Sequence, residues 1–198
     1  MRGDVLESDL IKKIHHILKQ NMSPHRYKHT LGVVDAAVYL ASKYDADEEA
    51  AYIAALLHDY AKDFSKERME EYIRHNGLSV DEIMSNVHQL LHGKIAAHIA
   101  KKRFNINNKD ILNAIEYHTT GRKEMSKLEK IIYLADFIEP GRNYAGVEEL
   151  RVVAEQNLNK AVLLALNNTI KYVISMEKLL HTNTIEARNT LLFERVNW

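Results

Sequence analysis

Two prolines and seven glycines are all the turn-forming backbone that 198 residues supply, far below ordinary usage, and a fold of many short strands needs more of both. The apolar residues agree, because they recur at intervals of three and four rather than two. Leu10, Ile11, Ile14, Ile17 and Leu18 form one such stripe behind Ser8, a residue able to cap a helix. Ser23-Pro24 sets a cap and then a proline at the first helical position, opening a helix to about residues 39–42. Residues 45–47 restart a helix that carries Ala50, Ala51, Ile53, Ala54, Leu56 and Leu57 and ends near Tyr60. Ser65 opens a polar helix that stops at Asn76-Gly77, and Ser79-x-x-Glu82 has the form of a capping box. Helices are expected over 92–104, 110–117 and 128–138, the last behind a second capping-box pattern, Ser126-x-x-Glu129, and closed by Pro140-Gly141. Residues 147–175 and beyond read as one or two long helices plus a C-terminal segment. The expected fold class is all-α, in a single domain over 1–198.

Charge and cysteine content remove whole classes of function. Lys and Arg number 27, as do Asp and Glu, so no electrostatic argument favours nucleic acid or an anionic membrane as partner. A chain without cysteine has no disulfide, zinc ribbon, thiol nucleophile or iron–sulfur cluster. The opening MRGDVLESDL lacks the apolar stretch of a signal peptide and no apolar run reaches 18 residues, so the cytoplasm is the expected location. Eleven histidines remain. Any transition metal is left to imidazole and carboxylate, a donor set that suits iron, manganese, zinc or cobalt.

The segment Ala54-Ala55-Leu56-Leu57-His58-Asp59 leads an apolar run straight into two polar groups. Burying an imidazole and a carboxylate together is costly unless something satisfies them. A metal ion does so; a His–Asp hydrogen bond is the alternative. His29 opens an apolar helical face in the same way, and Asp136 is a lone carboxylate inside Ile131-Ile132-Tyr133-Leu134-Ala135-Asp136-Phe137-Ile138. Aspartate is a poor residue there by propensity and by solvation, so it is either a ligand or the partner of a buried cation.

A first His, an adjacent His-Asp pair and a distant Asp on separate helices resemble the HD-domain metal-dependent phosphohydrolases, over roughly residues 20–140. The resemblance implies a helical HD fold with the metal site between core helices, a metal-binding core at about 20–140 and a helical C-terminal part at about 145–198. It places His29, His58, Asp59 and Asp136 on a primary ion. His92 and His118 would serve a second ion, with Asp59 bridging; a helix-terminal histidine is the plainer reading of each. A closer resemblance is to the YqeK family, symmetrical diadenosine-tetraphosphate hydrolases. It is carried by Arg26-Tyr27-x-His29-Thr30, His58-Asp59-Tyr60-Ala61-Lys62, Leu91-His92-Gly93, His118-Thr119-Thr120-Gly121 and Asp136-Phe137-Ile138-Glu139-Pro140-Gly141-Arg142. A late Thr184-x-x-x-x-Asn189 is similar as well, while His181-Thr182-Asn183 stands where that family's pattern has a proline.

Lys62 lies one turn after the His-Asp pair, where its ammonium can project over the site, and Arg142 follows the Pro140-Gly141 break, where a guanidinium can grip two phosphate oxygens. The family resemblance gives Asp59, Lys62 and Arg142 catalytic work. It assigns nucleotide contacts to His29, Lys62, His92, His118, Thr119 and Arg142, and to Leu179, Leu180, His181, Thr182, Asn183 and Thr184. It implies a binuclear centre, most simply of iron, with manganese, zinc, cobalt or nickel as other candidates. The implied reaction is hydrolysis by metal-activated hydroxide of diadenosine tetraphosphate to two ADP. Other HD-type activities (a nucleotidase, a guanosine-tetraphosphate hydrolase) and a non-catalytic ADP-binding sensor are the alternatives. Tyr and Leu on the long C-terminal helix suit a homodimer. His15, His16, His25, His75, His88 and His98 are not expected to be ligands, the first two being placed at a solvent edge.

Overall fold

A computed structural model describes residues 9–195, and among them every regular element is helical. In chain order the α-helices are α1 (Asp9–Asn21), α2 (Pro24–Lys43), α3 (Glu48–Leu57), α4 (Lys66–His75), α5 (Glu82–Asn86) and α6 (Leu91–Phe104). They continue with α7 (Lys109–Glu116), α8 (Lys127–Ile138), α9 (Val147–Gln156), α10 (Leu158–Ser175) and α11 (Thr182–Glu194). A short 3-10 turn, His88–Leu90, leads into α6. Ser8, the cap expected for the first helix, lies outside the described residues. None of the described helices is long and apolar enough to cross a membrane.

The helix starts follow the side-chain oxygens that the sequence offers. Ser23 accepts from the Arg26 amide with Pro24 behind it, Asp47 accepts from Ala50, and Ser65 accepts from Arg68. Ser126 and Glu129 form a reciprocal capping box, the Glu129 carboxylate also holding Arg122 through two short bonds of 2.5 and 2.8 Å. The other expected capping box does not form. Asp81, not Ser79, starts α5, its carboxylate accepting from the Met84 amide at 2.8 Å. A carboxylate directly before the helix outcompetes a hydroxyl two residues earlier. The C-terminal stretch divides at Asn157, whose extended backbone ends α9 and whose side chain caps α10.

The centre of the packing is α3. Every side chain from Ala50 to Leu57 is buried, the pattern of a helix with no solvent face. Around it lie α1, α2, α6, α7 and α8. Leu56 and Leu57 are fully covered, each worth about 1.5–3 kcal/mol of transfer energy. The helix stops at Leu57 rather than near Tyr60; residues 57–64 go on as tight turns, with Tyr60, Lys62 and Phe64 amides each bonding three residues back. This brings His58 and Asp59 out of the helical register at the point where α3 meets α2, α7 and α8. Helices α9 and α10 pack along α8 and against each other, and α11 packs on α10.

Candidate metal centre

Four histidines and two aspartates from five separate segments converge at the end of α3. His29 comes from α2, His58 and Asp59 from the turn after α3, and His92 from the first turn of α6. His118 follows α7 and Asp136 lies in the last turn of α8. Three overlapping sets, His29–His58–Asp59, His58–His118–Asp136 and Asp59–His92–His118, place their ligand atoms within 4.8 Å of one another.

Each ring is oriented by its outer nitrogen. The Nδ1 of His58 donates to the Ala55 carbonyl at 2.6 Å, that of His92 to Gln89 at 2.6 Å, and that of His118 to Ile115 at 2.7 Å. His29 uses a carboxylate instead, with Nδ1 3.2 Å from Glu139 Oε1. With the proton held on Nδ1, the lone pair is on Nε2 and faces inward. Asp59 receives them in pairs: Oδ2 lies 3.7 Å from His29 and 3.5 Å from His58, while Oδ1 lies 3.2 Å from His92 and 3.5 Å from His118. His29 Nε2 is also 3.0 Å from Asp136 Oδ1.

This arrangement has too few protons. The Nε2 atoms of His92 and His118 are 2.9 Å apart with both rings' Nδ1 atoms on carbonyls, and buried His29 and His58 Nε2 make no hydrogen bond of acceptable geometry. Lone pairs and carboxylates that face one another repel unless a cation stands among them. The donor set of imidazole nitrogen and carboxylate oxygen fits a divalent metal centre. The titration behaviour reports the same field. Burial pushes the His58 imidazolium down, but the Asp59 and Asp136 charges outweigh it and leave its pKa above the ordinary value. Burial likewise raises the carboxyls, yet the imidazoles around Asp59, and His29 with His58 beside Asp136, hold both acids well below the usual range. His92, desolvated and next to Lys62 and His118, is lowered to about 4.

Charged and hydroxyl groups line the rim. Lys62 Nζ is 3.4 Å from His92 Nε2, and the Thr119 hydroxyl lies 3.1 Å from His118 Nε2. Arg142 donates through Nε to the Asp136 carbonyl at 2.7 Å and through Nη2 to the Asp136 carboxylate. Asp136 is thus at once the partner of the Arg142 cation and a neighbour of His29. Arg26 donates to Asp59 Oδ2 at 2.6 Å.

Arg26 and Glu139 are the functional candidates that residue-by-residue reading missed. Glu139, next to Pro140-Gly141, has the look of an exposed helix end, yet it is buried. Its carboxylate accepts the Gly141 amide at 2.5 Å, and a Cβ on Gly32 would stand 2.5 Å from its Oε2. Gly32, a glycine in the apolar face one turn beyond His29, was the available signal. A second close approach lies at Gly93, where a Cβ would stand 2.5 Å from the Glu116 carbonyl. That contact lets α6 and α7 draw together and sets His92 against His118.

Other expected site residues are elsewhere. Segment 179–184 makes no hydrogen bond or ion pair to the cluster among the described residues. His181 caps α11 by accepting the Asn183 amide at 3.1 Å and donates from Nε2 to Asp81 Oδ2 at 2.8 Å, so both ring nitrogens are engaged. Leu179 is exposed and Thr184 buried. The six discounted histidines stay outside the three sets. His15 is corrected in one respect: rather than edging into solvent, it is half-buried and joins the Tyr27 and Tyr52 hydroxyls, each at 2.8 Å.

Comparison with known proteins places this geometry. A family model described as HD domain matches residues 26–141. The chain is 41% identical over 179 residues to a Halalkalibacterium halodurans protein named Bis(5'-nucleosyl)-tetraphosphatase, symmetrical, covering 90% of this chain and 95% of that one. A Bacillus subtilis protein of the same name is 38% identical over 175 residues, covering 88% and 94%. A crystal structure of a Clostridium acetobutylicum protein, described as a predicted HD superfamily hydrolase involved in NAD metabolism, superposes with a TM-score of 0.89 at 50% identity, covering 92% of this chain and 97% of that one.

Proposed function

This chain belongs to the HD domain family, and from that premise we propose that it is a metal-dependent hydrolase that cleaves diadenosine tetraphosphate symmetrically to two ADP. The single observation that carries the reading is the pairing at Asp59: each carboxylate oxygen faces its own two imidazoles, all four with inward lone pairs. Its substrate class follows the relatives named as symmetrical tetraphosphatases.

His29, His58, Asp59 and Asp136 would hold one ion and His92 and His118, with Asp59 shared, a second; iron is our choice of metal. Bound there, divalent ions supply a water nucleophile at neutral pH and a clamp for phosphoryl oxygens. The chain's own residues do the rest. Lys62 and Arg142 neutralise charge on the attacked and leaving phosphates, and Arg142, held charged by Asp136 and Glu139 despite its burial, keeps that capacity at any working pH. Thr119 offers a hydroxyl to a phosphate oxygen beside His118. Leu179, Leu180, His181, Thr182, Asn183 and Thr184 border the nucleotide, with the His181–Asp81 pair anchoring that segment to α5. Water adds across the central P–O–P link: its oxygen joins one inner phosphorus, and the bridging oxygen leaves with the other ADP. Water's protons end on the product phosphates or in solvent.

Exposed Tyr172 and Ile174 mark the end of α10 as the face we assign to a homodimer, which a concentration-dependent mass in sedimentation would report. Product chromatography of iron-loaded protein with diadenosine tetraphosphate tests the main reading. ADP as the only product supports it. AMP with ATP overturns the cleavage position, and no product from metal-replete protein overturns the substrate.

A further inference from the structure

A cleft of about 680 Å³ opens between α2 and the turn at residues 139–144, within the size range of small-molecule sites. Its wall includes His29, Arg26 and Arg142, so it is continuous with the centre at Asp59 Oδ2 and Asp136. Of the contacts proposed above, Lys62, Thr119, His92 and His118 gather on the other side around Asp59 Oδ1, while His29 and Arg142 stand between the two sides, at the inner end of the cleft. A substrate cut at its middle has a nucleoside diphosphate on each side of the cut. One half has contacts assigned; the other needs a place.

The cleft has the chemistry for it. Cations stand at its inner end, where Arg26 and Arg142 reach the two aspartates, and Lys28 extends the positive charge outward. Tyr144, from the opposite wall, is fixed by its hydroxyl bonding the Phe137 carbonyl at 3.0 Å while the residue stays exposed. Asp35 lies farther along α2, nine residues past Arg26, about 13 Å at the helical rise, where a carboxylate can accept from sugar hydroxyls. Phosphate-binding charge inside and an aromatic ring outside follow the order of a nucleoside diphosphate entering phosphate first.

We propose that this cleft is the subsite for the second nucleoside diphosphate, with Arg26 and Lys28 on its phosphates and Tyr144 stacked on its base. The proposal rests on the hydrolase reading. It is tested first by calorimetric titration of ADP into metal-loaded protein, a measurement that needs no turnover. Wild type should bind two ADP per chain; Lys28→Ala combined with Tyr144→Ala should bind one, at the affinity of the unaffected site. Tyr144→Phe, which keeps the ring, should retain both. Kinetically, Tyr144→Ala alone should raise KM for diadenosine tetraphosphate about tenfold, the scale of a lost base–aromatic stack, and leave KM for adenosine 5'-tetraphosphate, which has no second base, within about twofold. A single ADP per chain in wild type, two in the double variant, or an equal KM change for both substrates overturns the subsite. Failure of wild type to form ADP from diadenosine tetraphosphate would instead overturn the hydrolase reading, so the two failures are told apart.

Discussion

The two oxygens of Asp59 look into unequal surroundings. On the Oδ2 side stand His29 and His58 with two more carboxylates, Asp136 and Glu139, and two guanidiniums, Arg26 and Arg142. The Oδ1 side has two imidazoles oriented by main-chain carbonyls, a lysine and a threonine hydroxyl. Among the described residues, the only carboxylate at ion-pair distance from these two imidazoles is the shared one. The first half would hold a cation by charge. The second would hold it by position, since neutral imidazoles attract an ion only when their lone pairs converge, and here convergence depends on two helices touching at Gly93. The lesson is that one centre can be sensitive to charge on one flank and to geometry on the other.

The largest effect should come from the group common to both flanks. Asp59→Ala should strip metal from both, read as metal per chain by elemental mass spectrometry, and lower turnover on the order of a thousandfold. Retention of full metal content would refute the sharing. Gly93→Ala sharpens the contrast by geometry alone. The new methyl meets the Glu116 carbonyl, so α6 must move away from α7 at a cost of about 1–3 kcal/mol, seen as a lower Tm. One ion per chain should remain where the proposed wild-type centre would hold two; loss of both, or of neither, would erase the distinction between flanks.

Glu139→Gln acts on the other flank. It removes the charge behind His29 while keeping an acceptor for Nδ1, and metal affinity there should fall about 10- to 100-fold in chelator competition. An unchanged affinity would show that His29 needs no charged support. The smallest effect concerns protons in chelated protein. His92, lowered to about 4, binds no proton in the folded state between that pH and 6.5, the ordinary histidine value, where the unfolded chain does. Its contribution to stability is therefore full above about 6.5 and is lost as pH falls towards 4. His58 is raised, so its contribution is full below 6.5 and is lost as pH climbs past its folded value. Imidazole NMR titrations should show the two moving apart, and His92→Gln should flatten the acid limb of Tm against pH. Coincident titrations would break the comparison.

Much of this was legible from residue order. His29, His58, Asp59 and Asp136 betrayed themselves as polar groups in apolar helices, and they do meet. His92 and His118 needed the family resemblance, because a histidine at a helix end has an ordinary explanation. Arg26 escaped because a single arginine one turn before a histidine carries no pattern of its own. Glu139 escaped for a different reason: its burial is made by what is missing, the side chains of Gly32 and Gly141, and absence at two distant positions forms no local motif. The same limit explains Gly93. Capping was readable where the cap directly precedes its helix, as at Ser23 and Ser126, and misread at Ser79, where Asp81 is nearer.

Helix α3 has one more consequence. With every side chain from Ala50 to Leu57 enclosed, its amides can meet solvent only when the surrounding helices part, so they should be among the last to exchange with deuterium. His58 and Asp59 are anchored to that slow-opening segment. An ion bound there would have no path out through the floor, and its residence time would be set at the rim, by the side chains of Lys62, Thr119, Arg26 and Arg142. The clock for metal loss and the clock for unfolding should in this way be separate, the first running without starting the second.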